Sequence, residues 1–319
     1  MNTTKRAVAL GLAATLIQAV MLIAFAWPAA NIAPRDLPVA VAGPQAAAVA
    51  DKLAAHDPDA FDIRTFADEP AARAAIEDRE VYGAIITGAQ PRTLIASAAS
   101  PAVAQQLSAM TQQLSGTAAA PAEDVVAADP DDPRGSGFGA MVLPLVMSGI
   151  AAGVLLTLLI PSIPARALGL TTFALAGGLL SMAIVQGWLS LIPGNYLTMA
   201  AIAALVSFAV AGTVVGLAAA LGRPGIGLAA LTMLLIGNPF SAATSAPEML
   251  PQPWGALGQL LPPGAAASLL RSVAFFDGAA AATPLTVLLT WSAAALALLA
   301  FAALRTREST PAPELAPAA

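Results

Sequence analysis

Apolar residues form long unbroken runs near the start of this chain and through its second half, while the stretch between them alternates apolar and polar positions in short pieces. A helix rises ~1.5 Å per residue and the hydrocarbon core of a bilayer is ~30 Å thick, so roughly 20 apolar residues cross it. The candidate spans are Ala7–Trp27, Phe138–Ile160, Leu168–Ser190, Leu197–Leu221, Ile226–Gly237 and Pro284–Leu304. The fifth is short, and is expected either to extend past Asn238 or to end below the membrane surface. The segment from Asp36 to Thr117 reads differently. Pro38–Ala42, Phe61–Phe66, Val81–Ile86 and Leu94–Ser97 have the pattern of strands, and Gln45–His56, Pro70–Arg79 and Pro101–Leu114 that of helices. Strands alternating with helices imply a small α/β domain with an at least partly parallel sheet. Gly116–Gly137, rich in Ala, Pro, Asp and Gly, reads as a tether back to the membrane.

The expected fold is therefore an α-helical membrane protein of about six transmembrane helices, with a small extracytoplasmic α/β domain inserted between helices 1 and 2. Residues 1–27 are a cytoplasmic N-terminus and the first helix, 28–137 the exported domain and tether, and 138–304 a five-helix membrane domain. A re-entrant helical pair is expected at 238–280, and a disordered cytoplasmic tail at 305–319. Composition agrees with this division: 58% of 319 residues are hydrophobic, only 10% are charged, and mean hydropathy is +0.76. Lys5, Arg6, Arg166, Arg223, Arg305 and Arg307 all fall on one side of a six-span chain, with Arg271 opposite. The positive-inside rule then places both termini in the cytoplasm of a multi-pass plasma-membrane protein. Lys5-Arg6, the apolar run and Ala24-Phe25-Ala26 also resemble a signal peptide. The run exceeds the usual ~7–15 residues of such a core, which favours an uncleaved anchor.

Charge and side-chain chemistry exclude several functions. Pro28–Gly137 carries fifteen acidic residues against seven basic ones, which argues against a nucleic-acid partner. Cysteine is absent, and the single histidine, His56, ends a helical stretch where a surface or capping role is expected, so no metal site is predicted. Asp131-Asp132 in the tether reads as solvation, and Glu77, Asp78 and Glu80 beside Arg73 and Arg79 as a solvated charged face. None of the candidate spans holds an ionisable residue, as an ion-coupled carrier would need, and Thr171, Ser181, Gln186 and Ser207 are assigned to bonding between helices. The only lysines are Lys5 and Lys52, and no phosphate-binding loop is encoded. Neither a catalytic residue nor a cofactor is therefore expected in this chain.

Three groups of residues stand out. Gly149 with Gly153, and Gly212 with Gly216, have the spacing that lets helix backbones approach, although so Ala- and Gly-rich a chain also produces it by chance. In Asn238–Asp277 the prolines forbid a continuous span, which suggests two short apolar helices broken at Pro262-Pro263. Trp254, Phe275 and Phe276 suit interfacial depth there, and Arg271 and Asp277 serve as polar anchoring ends. The loop Pro161–Leu168 carries prolines at its start and Arg166.

The order of one span, an exported α/β domain, further spans and a re-entrant pair before the last resembles the type-2 ABC export permeases. The branch it is most similar to has a large domain after the first span and includes the phage-infection-protein-like members. Arg79-Glu-Val-Tyr-Gly-Ala-Ile-Ile86, Leu143-Pro144 with Gly149, and Asn238–Pro251 with Leu261-Pro-Pro-Gly264 and Arg271 carry the likeness. The resemblance implies a permease subunit without its own nucleotide site. It would pair with a second permease copy or a homologous permease and be energised by a separate ABC ATPase that holds the ATP. In that reading Pro161, Ile163, Pro164 and Arg166 meet the ATPase, and Asn238, Pro239, Glu248, Pro262, Pro263 and Arg271 close the pathway outside. The partners are thus that ATPase, the second permease and membrane lipid. The alternative is a non-transporting surface protein or receptor whose exported domain binds a partner while the spans anchor it.

Overall fold

The computed structural model describes residues 2–88, 91–115 and 121–308. Helix α1 (Thr3–Ala30) leads into β1 (Leu37–Ala42), α2 (Ala46–His56), β2 (Phe61–Phe66), α3 (Glu69–Glu77), β3 (Gly83–Ile86), β4 (Arg92–Ile95), α4 (Pro101–Ser115) and β5 (Glu123–Asp124). Then come α5 (Ser136–Leu159), α6 (Ile163–Met182), α7 (Tyr196–Leu221), α8 (Arg223–Leu231), α9 (Trp254–Gln259), α10 (Pro262–Phe275) and α11 (Ala282–Glu308). Among the described residues five helices are long and apolar enough to cross a membrane: α1, α5, α6 with its π-helical continuation to Trp188, α7 and α11. The sixth candidate is α8 with its π-helical extension Thr232–Gly237, and its 15 residues rise only ~22 Å. It ends at Gly237 with Asn238 as its cap and does not extend into the following segment. The chain is a multi-pass membrane protein by these spans, with the sheet domain between the first of them and the rest. Helix α11 runs on through Arg305 to Glu308, so the described part of the expected tail is helical; 309–319 lie outside the described residues.

The sheet has the order β2-β1-β3-β4-β5. β1 pairs parallel with β2 and β3, β3 antiparallel with β4, and β4 parallel with β5. Successive β1 residues point to opposite faces. Ala40 and Ala42 therefore pack with Ala72 and Ile76 of α3, while Leu37 and Val39 pack with Val103 and Leu107 of α4. The predicted tether is a correction. Glu123 and Asp124 pair with Leu94 and Ile95, and the Asp124 carboxylate accepts bonds from the Ser97 amide and hydroxyl. A two-residue strand of charged residues leaves no periodicity to read. Asp132 is likewise not a solvated group. It is 6% exposed and accepts the Phe138 amide at 2.7 Å, supplying to α5 the cap that Gly135 cannot.

Helix α7 is the axis of the bundle, with 67% of its apolar window buried, and α5, α6, α8, α10 and α11 all pack on it. Gly149 and Gly153 face Val210 and Val214, and a Cβ on Gly153 would sit 2.6 Å from that of Val214. Gly212 and Gly216 face Ala295 of α11, where a Cβ on Gly216 would lie 3.0 Å from the Ala295 carbonyl oxygen. Missing side chains thus set both close approaches.

Candidate functional site

The segment 238–280 joins the bundle to the sheet domain, and the buried ionisable groups of that junction form the candidate site. α9 and α10 are two short helices as expected, but Pro262 and Pro263 open α10 rather than forming the gap, which lies at Leu260–Leu261. The first turn of a helix tolerates proline because its amides have no intrahelical partner. Both prolines are buried, and Pro263 packs against Gly237 at the end of the π-helical turn. Asn238 caps that turn, its carbonyl accepting the Ser241 amide and hydroxyl, and Pro239 follows it half-buried.

The segment contributes to the sheet domain's own cores. Met249 and Ala246 lie with Leu37, Val39, Val103 and Leu107 on one face of the sheet. Phe276, 5% exposed, lies with Ala40, Ala42, Ile76 and Ile86 on the other. This corrects the interfacial placement of Phe276, whose ring meets protein on the sheet side. Phe275 instead meets Phe138 of α5 edge-on at 6.3 Å, and Trp254 stacks on Phe240. The Met249 carbonyl accepts the Ala33 amide at 3.0 Å and Nη1 of Arg35 at 3.1 Å, so the exit from α1 is tied to the same point.

Polar groups lock this contact. Arg79 follows α3 with a φ of 61°, a left-handed turn that ends the helix. Its Nη1 donates to the Ser268 carbonyl at 3.2 Å and to the Ser272 hydroxyl, and its guanidinium lies 5.1 Å from the centre of the Phe276 ring. The Tyr82 hydroxyl donates to Oε2 of Glu248 at 2.9 Å. Burial lowers Arg79 below the usual arginine range, and burial with the Glu248 charge raises Tyr82, which keeps the phenol a protonated donor. Arg271 is 5% exposed, donates to the Ala243 carbonyl at 2.9 Å and stands 4.7 Å over the Phe138 ring. It faces inward and is not a polar end of α10, while Arg79 leaves the predicted solvated face, where Glu77, Asp78 and Glu80 stay exposed. The arrangement pairs no nucleophile with a base; it fixes α10 and Glu248 to the turn between α3 and β3.

The other predicted residues lie elsewhere. Ser162 caps α6, so the expected loop Pro161–Leu168 is mostly the first turns of a helix. Arg166 turns back to α5, donating from Nε to the Ile160 carbonyl at 2.7 Å and from Nη2 to that of Thr157 at 3.1 Å. Pro161 and Pro164 are exposed, and Ile163 and Arg166 half-buried. No group of three or more His, Cys, Asp or Glu among the described residues could hold a metal ion. The Tyr82–Glu248 pairing had no place in the sequence reading, although a signal existed: Glu248 and Asp277 are the only acids from Phe138 to Leu304. A lone acid in an apolar stretch needs a partner when it is buried. No protein-family description, curated protein or solved structure matches the chain.

Proposed function

We propose that this chain is the membrane subunit of an ATP-driven exporter, working as a dimer with a separately encoded ABC ATPase, both termini cytoplasmic and the sheet domain outside. The observation that carries this reading is the shared core: Met249 and Phe276 fill the two faces of a sheet domain while their own segment seats α10 on α5, α7 and α11. A domain that spans merely anchor needs no such insertion, whereas a transport subunit needs its outer closure to move with its helices. The basic residues Arg166 and Arg223 sit at the bundle end away from the sheet domain, where the rule for positive charge expects the cytoplasm. With no phosphate-binding loop in the sequence, ATP would be hydrolysed on the partner and its work transmitted mechanically. Exposed Pro161 and Pro164 at the start of α6 are the contact surface for it, and Arg166 stiffens the turn by holding the end of α5.

The test is co-expression with a candidate ABC ATPase subunit from the same genome. Pro161→Glu with Pro164→Glu, both at exposed positions, should leave insertion intact and abolish ATPase association in a pull-down, and Arg166→Glu with Ile163→Asp should abolish it as well. Normal association and export in both variants would move coupling elsewhere, first to Lys5 and Arg6. Cysteines placed at Asp59 and Asp131 should react with an impermeant reagent in whole cells, and one at Thr306 should not; labelling at Thr306 would overturn the orientation.

A further inference from the structure

The sheet ends on one side at β2, and among the described residues no strand pairs with the outer edge of β2. Helices α2 and α3 pack on this strand yet leave Asp62, Arg64 and Thr65 exposed. An open edge presents unpaired amides and carbonyls, a template for another strand. The Leu37 amide donates to the Ala60 carbonyl at 2.9 Å, and backbone groups alternate in direction along a strand. Those of Asp62 and Arg64 therefore turn to β1, and those of Phe61, Ile63 and Thr65 to the open edge.

We infer that this edge pairs antiparallel with the same edge of a second copy of the chain, Ile63 lying opposite its own counterpart. Charges on an edge strand ordinarily discourage pairing. Here their order selects one register. Two identical edges bond only where open-side residues face one another, which centres the pairing on a residue rather than between two. Centred on Asp62, the pairing sets that carboxylate against its counterpart, and centred on Arg64 it sets two guanidinium groups together, both unfavourable. Centred on Ile63, it places Asp62 of each copy opposite Arg64 of the other and Phe61 opposite Thr65, so the open-side amides and carbonyls all find partners. Asp62 and Arg64 already meet at 3.2 Å within the strand, so the charges of the two copies alternate in sign around the centre. These are the positions without backbone bonds between them, where facing side chains come closest, with Cα atoms ~4.5 Å apart.

The direction of the strand says where the second copy stands. β1 starts where the Met249 carbonyl ties the exit of α1, and Tyr82, just before β3, bonds to Glu248. β2 is parallel to both, so the three strands lead away from the bundle. Copies in one membrane hold β2 the same way up, and an antiparallel partner therefore comes from a facing membrane. One short strand pair buries far less than the ~1,200–2,000 Å² of a stable complex, so many copies on two apposed bilayers hold where a single pair would not. This contact goes beyond the export reading and does not rest on it.

Cysteine is absent from the chain, so introduced thiols report the register without background. Full-length Asp62→Cys and Arg64→Cys are reconstituted in separate phosphatidylcholine vesicles and mixed under mild oxidant. The mixture should form a disulfide dimer at least tenfold faster than either variant alone, whose thiols are offset by two residues, beyond the ~7 Å Cα separation that a disulfide bridges. No dimer in the mixture, an equally fast dimer in one variant alone, or a dimer only when both variants share a vesicle would each overturn the inference. Light scattering gives a second readout. Vesicle clustering by the unmodified chain should fall at least tenfold with Asp62→Arg or with Arg64→Asp, which set like charges opposite, and return when one chain carries both. Both side chains are exposed, so the fold tolerates the exchange. Clustering equal in all of these chains would overturn the pairing. ATPase association is measured apart from either readout, so the failure of one proposal is distinguishable from the failure of the other.

Discussion

Replacing Phe276 by alanine removes a ring that comes from beyond α10 but fills the core between the sheet and α3. Truncating a buried phenylalanine costs ~3–5 kcal/mol, because the cavity collapses only in part. Losing the contact of the Arg79 guanidinium, 5.1 Å from the ring centre, adds to this and leaves a buried cation with less company. At about 1.4 kcal/mol per factor of ten, the opening equilibrium of β1 and β3 should rise roughly a hundred- to several-thousandfold. Hydrogen exchange of the Ala40, Ala42, Ala84 and Ile86 amides in nanodiscs reads this directly. Acceleration should appear in the strands, although more than 180 residues separate them from the substitution. If exchange speeds up only within 262–276 while the strands stay protected, the sheet domain is independent of the segment, and the shared core that supports the functional proposal is wrong.

Two further expectations concern the junction and the bundle. Burial and Glu248 raise the Tyr82 phenol, so the fold favours its neutral form. The stabilisation from this is complete below the unfolded value of about 10 and fades as pH rises past it. Thermal unfolding between about pH 9 and pH 11 should therefore show an alkaline loss that Tyr82→Phe diminishes, with a baseline cost of ~1.5–3 kcal/mol for the missing bond to the Glu248 carboxylate. A loss of equal steepness in that variant would assign it to other groups. Gly153→Val should destabilise the bundle by ~1–3 kcal/mol, since a Cβ there meets Val214 at 2.6 Å; an unchanged melting temperature would mean that α5 and α7 pack less closely.

The class of fold was legible in the pattern of the chain. Membrane crossing depends on the length and polarity of a continuous segment, and strand alternation in β2 depends on neighbours two residues apart; both are local properties that residues 7–27, 61–66 or 197–221 display unaided. The glycine pairs at 149 and 153 and at 212 and 216 were visible for the same reason, though which helix each would face was not. What only the tertiary structure decided involves partners far apart. Glu248 is an odd acid in an apolar stretch until Tyr82 is brought to it, and Arg79 reads as surface charge until its left-handed backbone aims it at Ser268 and Ser272. Asp132 passes for a solvated tether residue until the start of α5 supplies an unsatisfied amide. Arg166 could equally have reached outward; the open carbonyls at the end of α5 turned it in. In each case the free energy lies in satisfying a buried polar group, and the identity of its partner is fixed by the packing of helices and sheet, which no window of sequence contains.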